Sequence, residues 1–297
     1  MKKILIITGL TASGKSGLAI KIAKEFNGEI ISADSVQIYK DLNVGSAKDP
    51  LEKRQGVEHH LIDIKEPTET YNVSNFLEDC AKSINEILSK NKLPIIVGGT
   101  AMYIKALLEG FSLGEASADQ EFRNYYENLA KNKGNLSVWN ELNSINPEKA
   151  KTVHPNNLKR VIRYLEIEKF GNNSQNSESI LKDYLVYTVG IIAEREKIYS
   201  RINDRVDEMI TEGLENEVRS LYNKGITKDM QSVTSIGYRE WFDYFENKID
   251  KKTTINLIKQ HTRNYAKRQL TFLKTINNVE LLPIDEAEKT IRSFLND

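Results

Sequence analysis

The chain has 297 residues, of which 28% are charged and 39% hydrophobic, as is typical of a globular protein with one large domain or two smaller ones. Lysine and arginine total 42, and so do aspartate and glutamate, so any basic surface for a nucleic acid must be local. The single cysteine, Cys80, excludes an intrachain disulfide and a cysteine-based zinc site. No segment approaches the ~18 apolar residues of a membrane span, and we expect a cytoplasmic protein with no membrane association.

The N-terminal part of the chain alternates strand-like apolar segments with helical patterns, which predicts a parallel sheet with crossover helices. Strands are predicted at Lys3–Thr8, Gly28–Ala33, His60–Ile64 and Pro94–Gly99, and helices at Lys15–Phe26, Ser74–Lys90 (with a serine N-cap) and Ala101–Glu109.

The pattern changes after Ser112, where helical segments are broken by polar turns such as HPNN (154–157) and GNNSQNSES (171–179). A strand is predicted again at Asp183–Ala193, and long helices follow to about Ile276. The middle of the chain is therefore predicted to be a helical insertion that interrupts an α/β domain.

The segment Gly9–Ser16, GLTASGKS, fits the phosphate-binding pattern G-x-x-x-x-G-K-[ST] and lies between a predicted strand and a predicted helix. Its glycines allow the backbone to wrap an anion, whose charge is neutralised by the amides, the helix N-terminus and Lys15. The Ser16 hydroxyl suits Mg²⁺. The phosphate-binding residues predicted are Gly9, Thr11, Ala12, Ser13, Gly14, Lys15 and Ser16.

The predicted fold class is thus α/β: a P-loop NTPase-like parallel sheet core formed by residues 1–111 and 184–297, with C-terminal helices and an inserted helical domain at 112–183. The strand that ends at Gly98 and Gly99 carries no carboxylate to help hold Mg²⁺, although Asp63 follows another strand. This pattern favours group transfer over hydrolysis-driven switching.

Two polar residues follow predicted strands at the edge where ligands bind in parallel sheets. Asp34 follows the second strand and has two interpretations: a general base or metal ligand near the P-loop, or a cap of its own turn. Thr100 follows the fourth strand and is predicted to face the same crevice, to cap the next helix, or both.

Basic residues concentrate in two places. Between Lys251 and Thr275 there are seven lysines or arginines and no acid, and Lys259, Arg263 and Lys267 form one helical stripe. Such a stripe favours binding to a phosphate backbone over plain solvation. On another face of this helix, Ile258, Tyr265 and Phe272 are predicted to be core residues. Lys159, Arg160 and Arg163 form a smaller cluster, for which both interpretations are open.

The ordered sequence blocks resemble the tRNA dimethylallyltransferase (isopentenyl-diphosphate:tRNA transferase) family over nearly the whole chain. The blocks are GLTASGKS, ISADSVQIYKDLNVGSAK, HHLIDI, EPTETYNVSNF, VGGTAMYIKALLEG, SADQEFR, HPNNLKRVIRYLE, REKIYSRINDRVDEM, SIGYRE and TRNYAKRQLTF. Leu10, Asn43, Ser46 and Ala101-Met102 depart from the usual family residues, but none of these changes removes a group with an assigned chemical role. The sequence has no C-terminal zinc-finger extension, which predicts the bacterial form.

This resemblance implies transfer of a dimethylallyl group from dimethylallyl diphosphate to N6 of the adenine at position 37 of tRNA, next to the anticodon. The implied products are N6-isopentenyladenosine and diphosphate, and Mg²⁺ is the implied cofactor. The implied catalytic residues are Asp34, Thr100 and Arg205. Asp34 would accept the N6 proton, and Arg205, together with Lys15, would stabilise the leaving diphosphate. The alternative for Arg205 is a surface charge paired with a neighbouring acid such as Asp204.

The resemblance also implies which residues contact the tRNA anticodon stem-loop. Thr100 and Arg123 match positions close to the target nucleotide, and Asp34, Ser35, Val36, Gln37, Lys159, Arg160 and Arg163 match segments that contact RNA. The helical insertion would bind tRNA, and a monomer is expected. The target adenine must leave its stack to reach the site.

Three other functions compete with this interpretation. An adenylate isopentenyltransferase would act on free nucleotides and would need neither the basic stripe nor the insertion. A small-metabolite kinase on the same scaffold would consume ATP. A non-catalytic RNA-binding protein would leave Asp34 and the intact P-loop unexplained.

Overall fold

The computed structural model of the chain describes residues 1–110, 119–171 and 178–297. These residues divide into two compact units, the first formed by Met1–Glu109 with Ser179–Asp297 and the second by Gly110–Glu178. The predicted domain boundary at 111–112 and most of the predicted polar loop at 171–179 lie outside the described residues.

The first unit is an α/β structure with a six-stranded parallel sheet, ordered β3-β2-β4-β1-β5-β6. Its strands are β1 (Lys3–Gly9), β2 (Gly28–Ser32), β3 (His59–His60), β4 (Leu93–Val97), β5 (Leu185–Ile191) and β6 (Glu280–Leu282). Its helices are α1 (Lys15–Glu25), α2 (Val73–Ser89), α3 (Ala101–Glu109), α8 (Arg195–Thr211), α9 (Leu214–Asn223), α10 (Arg239–Phe245), α11 (Lys251–Leu273) and α12 (Ile284–Asn296). A short 3-10 helix lies at Gln231–Thr234. The predicted α/β class with a parallel sheet is confirmed.

Both faces of the sheet are buried, as expected for a parallel sheet covered by helices. Ile4 and Ile6 of β1 point into one apolar cluster with residues of α2, α3, α9, α10 and α11. Leu5 and Ile7 point into the other cluster, formed mainly with α1 and α12. Because the four side chains of Ile4–Ile7 meet apolar layers on both faces, β1 and the loop after it are held in a fixed place.

The sequence predicted most of these elements, with three corrections. Strand β3 is only two residues long, because Leu61 and Asp63 adopt left-handed backbone conformations with φ 61° and 56°. Helix α2 is capped by Asn72, whose side chain accepts from Asn75 N–H and which forms a reciprocal capping box, rather than by a serine. Strand β6 and α12 were not predicted.

The short segment Ser179–Asp183 belongs to the first unit, although the sequence placed it in the insertion. Ser179 Oγ donates a hydrogen bond to the carbonyl of Leu107 at the end of α3, and Leu181 is buried in the core of the first unit. These contacts attach the segment to the sheet domain before β5 begins.

The second unit is helical in its described part. Its helices are α4 (Gln120–Lys133), α5 (Asn135–Ile145), α6 (Pro147–Lys151) and α7 (Leu158–Phe170). They enclose a core of their own that includes Val138, Leu142, Val161 and Leu165. None of the helices in the described ranges of either unit is long and apolar enough to cross a membrane.

Candidate active site

The P-loop after β1 has the backbone geometry of an anion-binding turn. Gly9 has φ 131°, and a side chain there would collide with the backbone of Ile191 in β5. Gly14 has φ 91° and precedes the first residue of α1, Lys15. The amides of the first turn of α1 have no carbonyl partner within the helix, so this turn favours an anion at its N-terminus.

Two polar groups of the P-loop lack partners that would satisfy them. Ser13 Oγ is buried and has no hydrogen-bond partner among the residues described. The Lys15 ammonium donates to the carbonyl of Leu10, at 2.5 Å, and forms no ion pair within the described residues. Burial, and then the positive charge of Arg205, lower the pKa of Lys15 to about 7, while Asp34 acts in the opposite direction. An anionic ligand would relieve this unfavourable environment.

Asp34 caps its own turn with one carboxylate oxygen, and its other oxygen accepts no hydrogen bond from the described residues. Its Oδ1 accepts hydrogen bonds from the amides of Val36, at 2.8 Å, and Gln37, at 3.3 Å. Its Oδ2 has no hydrogen-bond donor within the described part of the chain. The two interpretations from the sequence are therefore compatible, because one oxygen orients the carboxylate and the other remains able to accept a proton.

Thr100 lies beside this turn, on the loop between β4 and α3. Its Oγ1 accepts from Ser35 N–H at 3.1 Å and donates to Ser35 Oγ at 3.3 Å. The close approach of the two loops depends on Gly98, where a Cβ atom would lie 2.0 Å from the carbonyl oxygen of Ala33. The ends of β2 and β4 are thus locked together next to Asp34.

Arg205 of α8 lines the same cavities as Lys15 and Asp34. It makes no hydrogen bond or ion pair to a residue in the described ranges, which removes the alternative of a charge paired with Asp204. Burial lowers its pKa, and the negative charges of Asp34 and Asp49 act in the opposite direction. A half-buried guanidinium that lacks a partner among the described residues is suited to bind a phosphate or carboxylate ligand.

Two neighbouring cavities share several of these residues. A small polar cavity of about 130 Å³ is lined by Lys15, Ser16 and Gln269, and a larger one of about 420 Å³ has six apolar side chains in its lining. The apolar side chains are Val36, Ile202, Val206, Met209, Ile236 and Ile258. Five residues line both cavities: Thr11, Asp34, Ser46, Arg205 and Tyr265. Anion-binding, proton-accepting and apolar surfaces are therefore adjacent.

The sequence missed the contribution of α11 to this site. Tyr265, predicted to be a core residue, lines both cavities and donates a hydrogen bond from its hydroxyl to the carbonyl of Gly99 at 3.3 Å. Burial and the charge of Asp34 raise its pKa to about 12. Gln269 and Asp49 also line the small cavity. The i, i+7 spacing of Tyr265 with Ile258 gave the correct helix face but could not show that this face passes over the P-loop.

Asp63, the other possible carboxylate near a strand end, lies outside these cavities. Its Oδ1 accepts from the ammonium of Lys48 at 2.6 Å, and Lys48 also donates to Asn43 Oδ1 at 3.0 Å. Asp63 therefore has a structural partner.

The comparisons with known proteins identify the family of this chain. The model of a family described as IPP transferase matches residues 37–276. A tRNA dimethylallyltransferase of Bacillus cereus is 42% identical over 294 residues, which cover 97% of this chain and 92% of the relative. The chain belongs to the IPP transferase family. The family predicted from the ordered sequence blocks is confirmed.

Solved structures of related proteins share the fold. A tRNA isopentenylpyrophosphate transferase from Bacillus halodurans is 38% identical, with a TM-score of 0.74 over 100% of this chain and 96% of that one. A eukaryotic dimethylallyltransferase described as acting on tRNA is 30% identical, with a TM-score of 0.79 over 95% of this chain and 74% of that one.

In this IPP transferase, the predicted RNA-contacting residues of the first unit lie at the cavities. Ser35 and Val36 line the larger cavity. Gln37 lines the smaller one, where its side chain accepts from Ser32 Oγ at 3.1 Å and donates to the carbonyl of Ser46 at 3.3 Å. Gln37 is therefore held in place by protein contacts at both ends of its amide.

In the second unit, two of the predicted arginines share one buried partner. Arg123 forms two hydrogen bonds to Glu166, at 2.8 and 2.9 Å, and Arg163 forms another at 2.8 Å. Glu166 is 0% exposed, so these arginines also neutralise a buried carboxylate. Arg160 donates to the hydroxyl of Tyr164 at 3.0 Å, and Lys159 is exposed.

The basic stripe of α11 is less uniform than its sequence suggested. Lys259 pairs with Asp207 of α8 at 2.6 Å, and Arg263 donates to Asn203 Oδ1 at 2.5 Å. Lys267 is exposed and has no ion-pair partner in the described part of the chain. The prediction of an unrelieved stripe is thus wrong at Lys259, because the neutralising acid comes from a neighbouring helix.

Proposed function

We propose that this IPP transferase transfers the dimethylallyl group of dimethylallyl diphosphate to N6 of the adenine at position 37 of tRNA, next to the anticodon. The observation that carries the proposal is a pair of cations, Lys15 and Arg205, that have no ion-pair partner among the described residues and line a cavity that Asp34 also lines. A diphosphate would satisfy both cations. The apolar side of the larger cavity would surround the dimethylallyl group.

The proposed reaction breaks one bond and forms one at the same carbon. The N6 nitrogen attacks C1 of the dimethylallyl group, and the C1–O bond to the diphosphate breaks. Charge that develops on the leaving oxygens is stabilised by Lys15, Arg205 and the amides of the P-loop. Asp34 Oδ2 accepts the N6 proton, and the products are N6-isopentenyladenosine and diphosphate. Thr100 keeps the Asp34 turn in place through Ser35.

Mg²⁺ fits the groups that line the small cavity. The Ser16 hydroxyl and Asp49 would supply hard oxygen ligands there, although no cluster of three or more acidic, histidine or cysteine residues that could hold a metal is present within the described ranges. Mg²⁺ commonly binds one or two protein oxygens together with substrate phosphates, and this set matches that requirement. Bound there, the ion would neutralise charge on the diphosphate.

The binding of tRNA is proposed to involve the cavity residues Asp34, Ser35, Val36, Gln37 and Thr100. In the helical unit, Arg123, Lys159, Arg160 and Arg163 are proposed to contribute. The names of the relatives support tRNA as the acceptor over free adenine nucleotides. We further propose that the protein is cytoplasmic and acts as a monomer, and sedimentation equilibrium would test the monomeric state.

One assay separates the proposed activity from its rivals. The protein is mixed with Mg²⁺, radiolabelled dimethylallyl diphosphate or ATP, and either unmodified tRNA or AMP. Label should move from dimethylallyl diphosphate to tRNA, and digestion of the product should give labelled N6-isopentenyladenosine. Transfer to AMP would indicate an adenylate isopentenyltransferase, and use of ATP would indicate a kinase.

A further inference from the structure

Gln269 connects the P-loop to the end of strand β4. It lies on α11, is 4% exposed, and uses both ends of its amide. Its Oε1 accepts from Thr11 N–H at 2.9 Å, and its Nε2 donates to the carbonyl of Gly99 at 2.8 Å. One buried side chain from a distant part of the chain thus bridges the two loops that border the site.

The surroundings of Gln269 leave little freedom for this bridge. A Cβ atom on Gly99 would lie 2.6 Å from Gln269 Nε2, so a glycine is needed at that position for the amide to approach. The Gly99 carbonyl also accepts the Tyr265 hydroxyl. Replacing Gln269 by an apolar residue of equal length would remove the partner of Thr11 N–H and one of two partners of Gly99, which costs more than losing an exposed contact.

The two loops that Gln269 connects have different proposed tasks. Thr11 belongs to the P-loop and lines both cavities. Gly99 is followed by Thr100, whose hydroxyl fixes Ser35 next to Asp34. The position of the phosphate-binding loop relative to the proposed general base therefore depends on a hydrogen-bonded route through Gln269, Gly99, Thr100 and Ser35.

We propose that Gln269 is a positioning residue that holds the P-loop in its place relative to the Asp34 turn before substrate binds. The proposal rests on the proposed function, in which diphosphate and the attacking amine must be aligned across this junction. A preset loop binds its anion without first being ordered, so Gln269 should increase diphosphate affinity. It should also increase the rate of the chemical step, because a displacement of about 1 Å can cost roughly 100-fold in rate.

Gln269→Met tests this with little change of side-chain length, and Gln260→Met is the matched control, since Gln260 is exposed on the same helix. Binding of inorganic diphosphate with Mg²⁺ is measured by calorimetry, and kcat and KM are measured for both substrates. Gln269→Met should weaken diphosphate binding about 10-fold and lower kcat about 10-fold, with tRNA affinity within about twofold of the parent. If Gln269→Met folds and its diphosphate affinity and kcat equal those of Gln260→Met, the proposal is overturned.

Gln269→Glu distinguishes positioning from general destabilisation. A carboxylate still accepts from Thr11 N–H but can donate to Gly99 only when protonated. Gln269→Asp carries the same charge on a side chain too short to bridge the two loops, so it controls for repulsion of the diphosphate. The ratio of diphosphate affinities, Gln269→Glu over Gln269→Asp, should therefore rise as the pH falls, and a ratio that stays constant would contradict the bridge. If Gln269→Met fails to fold, this ratio of the two carboxylate variants still tests the bridge. Diphosphate binding does not require turnover, so these results stand apart from the assay of the proposed activity.

Discussion

Lys15 and Arg205 line the same cavity, and neither cation forms an ion pair with a residue in the described part of the chain. Arg205 contributes to the lowered pKa of Lys15, second only to burial. Two mutually repelling cations in a partly desolvated site are unfavourable in the free protein. The same arrangement favours a ligand with several negative charges, so binding and stability should respond oppositely to the loss of Lys15.

Lys15→Met should stabilise the free protein at neutral pH while it abolishes diphosphate binding. The pKa of Lys15 is about 7 in the folded protein and near 10.5 when unfolded, so the unfolded chain binds more protons between these values. The destabilisation of the folded protein by the charged Lys15 ammonium is thus complete at pH 7 and below, and it disappears as the pH rises towards 10. We expect a gain of about 1–3 kcal/mol at pH 7 and a smaller gain at pH 9.5, measured by urea unfolding.

Lys24→Met is the matched control for this prediction. Lys24 lies on the same helix, is exposed, and donates to Gln55 Oε1 at 3.0 Å. Its replacement should leave diphosphate binding unchanged and should change stability little. A loss of stability in Lys15→Met at pH 7 would show that Lys15 is not held in an unfavourable environment.

Asp34→Asn should lower the rate of transfer by ~10²–10⁴-fold, the usual contribution of a general base. Asparagine retains an oxygen that can accept from Val36 and Gln37, so the turn should keep its shape. Single-turnover rates at saturating substrates measure the effect on chemistry. Diphosphate affinity should not decrease, since the change removes a negative charge from the cavity.

Asp41→Asn provides a control from the same loop, because Asp41 is exposed and pairs with Lys224 at 2.8 Å. This variant should transfer at nearly the parent rate. An Asp34→Asn variant that is less than tenfold slower than Asp41→Asn would exclude Asp34 as the general base.

The parts of the site that lie close together in sequence could be predicted from the sequence alone. The P-loop combines a strand, a glycine turn and a helix within one short segment, and Asp34 follows the next strand directly. Arg205 was identified only through the family resemblance, since its helix gives no local sign of facing the P-loop. Tyr265 and Gln269 were missed because residues far apart in sequence determine which surface α11 covers.

Ion pairs between different helices could also not be predicted from local sequence patterns. The acid-free sequence of α11 suggested an uninterrupted basic stripe, yet Asp207 of α8 pairs with Lys259. Strand β3 was predicted too long because three of the five residues of His60–Ile64 are apolar and β-strand-like in sequence. The backbone there turns into left-handed conformations, which the sequence pattern does not show.

Glu29 should make the stability of the first unit depend on acidic pH. Its carboxylate is 2% exposed and pairs with His60, Lys90 and Lys92 at 2.7, 3.2 and 2.8 Å. Burial would raise its pKa, but the hydrogen bonds from these three partners outweigh burial and lower the pKa to about 2. Since the pKa is lower in the folded state, the stabilisation is complete above about pH 4.5 and is lost as the pH falls towards 2.

Glu29→Gln should therefore cost about 1–3 kcal/mol at pH 7, and the difference from the parent should shrink below pH 4.5. Denaturant unfolding at several pH values measures this difference. Glu86→Gln removes an exposed partner of Lys90 and should have a small effect. If the cost of Glu29→Gln were the same at pH 7 and pH 3, its ionisation would not contribute to stability.

The last prediction concerns the binding of tRNA phosphates by lysines that differ in whether they form an ion pair within the described residues. With no net charge, the protein must bind phosphates through local clusters, and each contact releases condensed counterions. Lys267 and Lys159 are exposed without an ion-pair partner in the described ranges, whereas Lys259 is paired with Asp207. Lys267→Ala and Lys159→Ala should each reduce the slope of log affinity against log salt by about 0.7–0.9, and Lys259→Ala by less.

Affinity for cognate and non-cognate tRNA should fall alike, because phosphate contacts carry no sequence information. Turnover at saturating tRNA should stay near the parent value, because neither Lys267 nor Lys159 lines the cavities that contain Asp34. Filter binding across a series of salt concentrations measures the slopes, and Lys259→Ala serves as the internal comparison. Equal slopes for all three variants and the parent would show that none of these lysines contacts the tRNA backbone.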